Sequence, residues 1–178
     1  MIKLPTQSEV LSYKSIYGDP RNRNNVSLPS VKWEAENLTR IVPPYRMTYA
    51  GTPIKSIRIH KACADNFSNL FELLKDTANN DQKTLDHWGV SIFGGSYVYR
   101  LMRGLNTLSM HSFGCAVDID PARNGLGDST PRFAEFPEVV ATFRKSGLCW
   151  GFDWDGDGTS KNQKRFDAMH LQATMALT

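Results

Sequence analysis

A histidine and an aspartate seven residues apart are the first side chains in this sequence that could do chemistry together. The stretch SMHSFGCAVDID contains His111 in a loop-like segment and Asp118 in a short apolar run. Gly114 lies between them and gives the backbone freedom to fold the loop back towards a strand. On an extended segment, Asp118 points to the face opposite Val117 and Ile119. An imidazole and a carboxylate presented in this way are two of the three N and O ligands that a catalytic zinc site requires.

His170 is the candidate for the third ligand among the four histidines of the chain. It stands between Met169 and Leu171, a context typical of a buried strand, and Asp167 lies three residues before it. A carboxylate beside a catalytic zinc can act as a general base, because the metal lowers the pKa of water towards neutrality and the carboxylate takes the proton. Histidines in such contexts are more often structural, so from the residues alone a metal site and a satisfied buried histidine both stay open.

The periodicity of the apolar residues predicts the elements that position these side chains. Helical spacing predicts helices over residues 62–78 and 132–146. Alternation and turn residues predict a hairpin over 39–60 and shorter strands at 97–100, 116–120, 149–152 and 169–172. Helices and strands are mixed without a regular βαβ rhythm, which predicts an α+β fold with a small antiparallel sheet flanked by helices.

Length and composition indicate one globular body with an amino-terminal extension. The 178 residues suffice for one hydrophobic core. Residues 18–30 are rich in Gly, Pro, Asn and Ser, so we expect an arm and linker over 1–30 and the functional domain over 31–178. The net charge of +3 comes without a basic block, which argues against nucleic acid as a partner.

The cysteines and the terminus bear on the compartment. Three scattered cysteines make no complete disulfide framework, which favours a reducing interior, and Cys115 is expected to be a small buried filler. The first residues lack the apolar core of a signal peptide, and no stretch reaches the roughly 18 apolar residues of a membrane span. We therefore expect a protein that is cytoplasmic as synthesised. We also expect it to be a monomer.

Four features of the sequence together resemble those of a known peptidase family. The pattern Ser-x-His-x-x-Gly-x-Ala-x-Asp is similar to the signature of the zinc D-alanyl-D-alanine carboxypeptidases, which also include L-alanyl-D-glutamate endopeptidases of bacteriophage lysis systems. The second motif is an acidic residue three positions before a histidine, matched by Asp167 and His170. An upstream arginine is matched by Arg100, and the Trp-Gly segment before the last histidine by 150–154. The likeness covers about residues 54–173 in the family's order.

The resemblance implies a role for each matched residue. His111, Asp118 and His170 would hold one Zn²⁺ per chain at the sheet, in a fold like that of hedgehog and D-Ala-D-Ala peptidases. Asp167 would be the base. The permanent charge of Arg100 would neutralise the oxyanion on the scissile carbonyl, with Arg103 as a rival for that role. The expected substrate contacts are Ser109, Arg103 and Trp150. The chain departs from the family in having Leu171 and Gln172 after the last histidine.

An acidic stretch nearby allows a second metal. Asp153, Asp155 and Asp157 occupy the first, third and fifth positions of DWDGDG, with glycine at the sixth, as at the start of an EF-hand calcium loop. Lys164 stands at the twelfth position, where that loop has a bidentate glutamate. The sequence therefore favours a simple acidic turn, with Ca²⁺ binding as the alternative.

The resemblance predicts a zinc peptidase that hydrolyses an amide bond in the peptide stem of bacterial peptidoglycan. The L-alanyl-D-glutamate endopeptidase is favoured, because a cytoplasmic chain suits a phage or prophage endolysin that a partner holin releases to the wall. One alternative is a D-alanyl-D-alanine carboxypeptidase. The other is a zinc-binding module without catalysis, which serves in wall recognition or in a phage particle.

Overall fold

The computed structural model describes residues 3–177. Its helices are α1 (Gln7–Leu11), α2 (Val31–Asn37), α3 (Ala64–Thr77), α4 (Gln82–Trp88) and α5 (Pro137–Lys145). Its strands are β1 (Leu38–Ile41), β2 (Thr48–Tyr49), β3 (Thr52–Pro53), β4 (Ile57–His60), β5 (Phe93–Gly95), β6 (Ala116–Ile119), β7 (Cys149–Trp150) and β8 (His170–Gln172). Short 3-10 helices cover Lys61–Cys63, Met110–Phe113 and Arg132–Glu135. The architecture is a mixture of helices and small antiparallel sheets, as the sequence predicts.

The largest sheet brings distant parts of the chain together. Its strand order is β5-β6-β8-β7, and each pairing is antiparallel. In the register of β6 and β8, Asp118 lies opposite His170 and Ala116 opposite Gln172. Directly opposed residues project from the same face, so the aspartate and the histidine are neighbours although 52 positions separate them.

Two helices close the core beside this sheet. The apolar stripe of α3 buries Phe67, Leu70, Phe71 and Leu74 completely. Helix α5 packs against α3 and adds Phe143 to the same core. Each fully buried side chain of this size contributes about 1.5–3 kcal/mol of transfer free energy, so these four residues make α3 a large part of the apolar core.

The predicted elements are recovered with three differences. The hairpin over 39–60 consists of two pairings, β1 with β4 and β2 with β3. The helix over 132–146 is interrupted, because Pro137 lacks an N–H and pushes Phe136 to φ −118 and ψ 91, outside the helical region. The predicted strand at 97–100 is wrong. Val98 N–H donates to the carbonyl of His111 and Arg100 N–H donates to Ser112 Oγ, so this segment pairs with a loop. The strand in this part of the chain is β5, a few residues earlier.

The amino-terminal arm packs on the body. Val10 and Tyr17 are fully buried and belong to the same hydrophobic cluster as the residues of α3. Tyr17 Oη donates to the carbonyl of Ala173 at 2.6 Å, and Met175 N–H donates to the carbonyl of Pro5 at 2.8 Å. Residues 23–28, inside the predicted linker, are exposed. The arm is therefore held to the body partly by hydrogen bonds with residues 173–175, which follow β8.

The cysteines lie in the interior of the fold. Cys63, Cys115 and Cys149 are free and buried, and Cys115 is fully enclosed as a small filler. Within residues 3–177, no helix combines the length and the apolar character that crossing a bilayer requires.

Candidate metal centre

Three side chains predicted to bind a metal converge at the centre of the largest sheet. Asp118 Oδ1 lies 3.2 Å from His111 Nε2 and 3.0 Å from His170 Nδ1. All three residues are largely buried, with side-chain exposures of 4% for His111, 14% for Asp118 and 9% for His170. The cluster therefore has the nitrogen and oxygen donors of a catalytic zinc site in a sheltered position.

The loop before β6 delivers His111 to this cluster. Ser109 caps the 3-10 helix Met110–Phe113, since its Oγ accepts from His111 N–H at 3.3 Å. Gly114 ends that helix with φ +66, and a Cβ there would lie 2.9 Å from the backbone nitrogen of His60. Both the positive φ and the close approach require glycine, so the glycine of the motif fixes how the loop turns back.

A hydrogen bond on the far side of the His111 ring fixes its protonation. His111 Nδ1 lies 2.6 Å from the carbonyl oxygen of Ser96. Since a carbonyl can only accept, Nδ1 carries the proton and the neutral ring presents a lone pair at Nε2. That Nε2 is buried and has no hydrogen-bond partner among residues 3–177. A buried imidazole nitrogen that has no hydrogen-bond partner and faces a carboxylate is the arrangement expected of a metal-ligating histidine.

The ring of His170 is arranged in the opposite sense. Its Nε2 lies 3.1 Å from Gln172 Oε1, and its Nδ1 faces Asp118. Donation from Nε2 to the amide oxygen leaves the lone pair of the neutral ring on Nδ1. The two histidines would therefore bind a metal through different nitrogens, Nε2 of His111 and Nδ1 of His170.

The cluster fits a zinc ion on both charge and spacing. With these tautomers, three lone-pair acceptors face one another, an arrangement that only protons or a cation can relieve. Ligand atoms placed tetrahedrally about 2.0–2.1 Å from zinc lie roughly 3.3 Å apart. The separations of 3.2 and 3.0 Å around Asp118 Oδ1 are close to that edge length. All three ligand atoms lie within 4.8 Å of one another, so His111, Asp118 and His170 can hold Zn²⁺ together.

Asp118 stays ionised in this position. Burial opposes the ionisation of Asp118. In the metal-free cluster, the protonated forms of His111 and His170 donate to this carboxylate and carry positive charge, which outweighs burial and holds the pKa of Asp118 well below its usual range. A permanently ionised carboxylate between two imidazoles supplies the negative charge that a divalent cation needs.

Asp167 lies beside the cluster and is placed there by Gly151. Asp167 N–H donates to the carbonyl of Gly151 at 2.8 Å, and Gly151 N–H donates to the carbonyl of His170 at 2.9 Å. A Cβ on Gly151 would collide with the carbonyl oxygen of Asp167. Asp167 Oδ1 is buried and has no hydrogen-bond partner among residues 3–177. Burial raises the pKa of Asp167, and the charge of His170 only partly offsets that effect.

The cluster opens into a cavity of about 350 Å³. Arg100, Arg103 and Ser109 line it, as the sequence predicts for the residues around the substrate. Trp150 does not, and its expected contact with substrate is corrected here: the side chain is 1% exposed and its Nε1 donates to the carbonyl of Ala168. Trp154 lines the cavity instead, with its ring 5.8 Å from that of His170.

The cavity carries a marked positive charge. Four exposed cations border it, and none of them forms an ion pair within residues 3–177: Arg100, Arg103, Lys164 and Arg165. They come from two segments, the loop before the Ser109 motif and the loop before Asp167. Unpaired guanidinium and ammonium groups around one cavity favour an anionic ligand.

The three acids of the DWDGDG stretch also lie close together, with ligand atoms within 4.8 Å of one another. Protein groups already occupy their oxygens. Asp153 Oδ2 accepts from Arg144 Nε at 2.7 Å, while Asp155 and Asp157 accept from the amide nitrogens of Asn162 and Gln163. These hydrogen bonds account for an acidic turn, and calcium binding by Asp153, Asp155 and Asp157 stays a prediction.

Three groups that support the metal cluster were not predicted from the sequence. The carbonyl of Ser96 orients His111, and a backbone oxygen has no signature in a sequence. Gln172 orients His170, and its position two residues beyond the ligand on the same strand was the available signal. Gln7 is not a metal ligand, but it lines the cavity and accepts a hydrogen bond from Gln172. The carbonyl of Ser96 and the amide of Gln172 contact the ligating histidines directly, and Gln7 contacts Gln172.

Comparison with known proteins relates part of the chain to a peptidase family. Residues 103–173 match the model of a family described as D-alanyl-D-alanine carboxypeptidase. The matched segment contains His111, Asp118, Asp167 and His170, begins at Arg103, and confirms the resemblance that the motifs indicate. The match supports a zinc metallopeptidase that acts on peptidoglycan. No curated protein and no solved structure matches the chain significantly.

Proposed function

We propose that this protein is a zinc peptidase that hydrolyses the L-alanyl-D-glutamate bond in the peptide stem of bacterial peptidoglycan, as a phage or prophage endolysin. The convergence of His111, Asp118 and His170 beside an unpartnered Asp167 carries the proposal. A zinc-binding module without catalysis has no use for a buried carboxylate with a raised pKa at the edge of its metal cluster.

The chemistry assigns one proton-transfer group. Zn²⁺ held by the three ligands supplies a Lewis acid that polarises a carbonyl and lowers the pKa of water. Asp167 takes the proton from the attacking water, and the protonated carboxyl then passes it to the leaving amine. Its raised pKa suits both steps, because a carboxyl with a pKa nearer neutrality is a better base and still releases its proton.

An arginine supplies the remaining charge. Arg100 neutralises the oxyanion that develops on the scissile carbonyl, with forked donors that keep their charge at any working pH. Arg103 is the alternative, since both side chains are exposed at the same cavity. Arg100 Nη1 makes a single hydrogen bond of 3.2 Å to the carbonyl of Leu101, so most of its donors are free for a substrate.

The charge around the cavity supports a stem peptide as substrate. Lys164 and Arg165 add two cations to the two arginines. A D-glutamyl residue carries a carboxylate besides the carbonyl that links it onward, so a stem peptide brings negative charge next to the proposed scissile bond. Charge complementarity of this kind favours encounter and register more than raw affinity.

Mass spectrometry of digested peptidoglycan tests the proposal directly. The wild-type protein with Zn²⁺ should create new L-alanine carboxyl and D-glutamate amino termini. Asp167→Asn should slow this cleavage by about 10²–10⁴-fold while zinc stays bound. Asp65→Asn, on the exposed first turn of α3, is the matched control and should cleave normally.

Other digestion products discriminate the alternatives. Release of a terminal D-alanine alone would replace the endopeptidase with a D-alanyl-D-alanine carboxypeptidase. Zinc binding and wall binding without any new terminus would identify a recognition or particle module.

We further propose that the protein is made in the cytoplasm, acts as a monomer and reaches the wall through a partner holin. Expression in a bacterial host should cause lysis only when a holin is expressed with it. Lysis of the host without a holin would contradict this route.

A further inference from the structure

We propose that Gln172 and Gln7 are positioning residues of the metal centre, so that the amino-terminal arm helps to select the nitrogen of His170 that binds the metal. The inference rests on the proposed metal centre but not on the proposed substrate. It assigns a task to Gln172, which departs from the family pattern, and to the first residue of α1.

A chain of hydrogen bonds fixes the orientation of the Gln172 amide. Thr174 Oγ1 donates to the carbonyl of Met175 at 3.1 Å, so towards Gln172 the same hydroxyl can only accept. Gln172 Nε2 donates to Thr174 Oγ1 at 2.8 Å and to Gln7 Oε1 at 3.0 Å. Both protons of the amide nitrogen are then engaged, and the amide oxygen must point the other way.

The direction of that oxygen determines the tautomer of His170. Gln172 Oε1 lies 3.1 Å from His170 Nε2, so this nitrogen has to carry the ring proton. Nδ1 then keeps its lone pair and faces Asp118 Oδ1 at 3.0 Å. Gln172 and Thr174 are each 1% exposed, which leaves no room for water to replace either partner.

The arm holds Gln7 in place independently of this contact. Thr6 caps α1, with its Oγ1 accepting from Glu9 N–H while the Glu9 carboxylate accepts from Thr6 N–H. Val10 on the same helix is fully buried in the core, and the carbonyl of Pro5 accepts from Met175 N–H. Gln7 is therefore presented to Gln172 by an ordered segment 165 positions away in the chain.

Zinc affinity, measured by competition with a chelator, separates the role of each amide. Gln172→Met keeps the length but removes the acceptor, and zinc should bind about 10–100-fold more weakly. Gln172→Glu keeps an acceptor for His170 Nε2–H and should restore most of the affinity. Gln7→Leu removes one hydrogen bond from the amide and should weaken binding about threefold to tenfold, while Gln7→Glu, which keeps the acceptor, should not.

Nitrogen NMR of the zinc-free protein gives a readout that a loss of packing would not produce. At a pH where both imidazoles are neutral, Gln172 Oε1 and the Asp118 carboxylate compete for the one proton of the His170 ring. Gln172→Met should move that proton from Nε2 towards Nδ1, while His111, which Ser96 orients, should keep its proton on Nδ1. Urea unfolding of each zinc-free variant checks that it is folded. If Gln172→Met does not fold, the same measurements on Gln7→Leu, which lies at the edge of the cavity, test the proposal.

The possible failures are distinguishable. If Gln172→Met binds zinc like the wild type and keeps the wild-type distribution of the His170 proton, the positioning role is wrong and the metal centre stands. If the folded wild type binds no zinc, the metal centre and the inference fall together.

Discussion

Gly151 and Asp167 are joined so closely that no side chain fits between them. The carbonyl of Gly151 accepts from Asp167 N–H at 2.8 Å, and a Cβ on Gly151 would meet the carbonyl oxygen of Asp167. The glycine of the Trp-Gly segment is thus explained by the position of the proposed base. Its backbone also bonds His170, so one residue sets the distance between the base and a metal ligand.

We expect Gly151→Ala to displace Asp167 and to reduce kcat at least tenfold. Overpacking of this kind costs about 1–3 kcal/mol of folding stability, so the variant should fold at moderate temperature. Hydrolysis of purified peptidoglycan and zinc content are measured together. A folded Gly151→Ala variant with normal kcat would show that this contact does not position the base.

The raised pKa of Asp167 predicts the acid limb of the pH–rate profile. Only the ionised carboxylate accepts a proton, so kcat/KM should fall as the pH falls through the pKa of Asp167, which burial raises and the charge of bound zinc lowers. The limb should move in Asp167→Glu. Zinc content is determined at every pH, because protonation of the ligands releases the metal as well. A profile limited only by zinc loss would contradict the assigned base.

Removal of zinc should destabilise the fold. Without a cation, the acceptors of His111, Asp118 and His170 face one another in a buried cluster. A metal present at 100 times its Kd stabilises the folded state by about 2.7 kcal/mol, so a chelator should lower the Tm of the wild type measurably. His111→Ala should show no such shift. Equal Tm values with and without chelator in the wild type would argue against a bound metal.

The two candidate arginines should differ in which kinetic constant they affect. Arg100→Gln should lower kcat by about 10²–10³-fold with little change in KM, as expected for a donor that acts mainly in the transition state. Arg103→Gln should mainly raise KM. Kinetics on a soluble stem peptide check both variants, and the reverse pattern would make Arg103 the oxyanion arginine.

His60 predicts a loss of stability in mild acid that is unrelated to catalysis. It is buried against the rings of Tyr17 and Trp33, and its Nδ1 accepts from Ala62 N–H. Burial, assisted by the charge of Lys61, lowers the pKa of His60 from 6.5 to about 4. Between these values the unfolded chain binds a proton that the folded protein does not, so stability falls as the pH drops.

Urea unfolding at several pH values checks this prediction. The free energy of unfolding should decrease by roughly 1.4 kcal/mol per pH unit within the window, relative to His60→Asn, which retains a capping acceptor. Measuring the difference at saturating zinc removes the contribution of the metal ligands. A constant difference between wild type and variant from pH 7 to about 4 would show that His60 does not titrate this way.

The sequence by itself determined the local features of this protein. The 3.6-residue stripe of α3 is long and unbroken, so its helix follows from periodicity. Gly114 and the alternation around Asp118 made His111 and Asp118 candidate ligands, because φ preferences and side-chain alternation act within a few residues. The resemblance to the peptidase family, and not the residues alone, implied that they bind a metal. Helices α1, α2 and α4 were missed, since five to seven residues are too few for a periodic signal.

Only the tertiary structure decided what lies behind and around those ligands. The register of β6 and β8, the hydrogen bond of buried Trp150 to the carbonyl of Ala168 and the contact of Gln7 with Gln172 join residues that are distant in sequence. Periodicity reports that a residue is apolar or polar but not which partner it meets. The tautomer of each ligating histidine is set by such a partner, a backbone carbonyl for His111 and a side-chain amide for His170. In a neutral imidazole, the nitrogen that donates to this partner carries the proton, and the other nitrogen presents the lone pair to the metal.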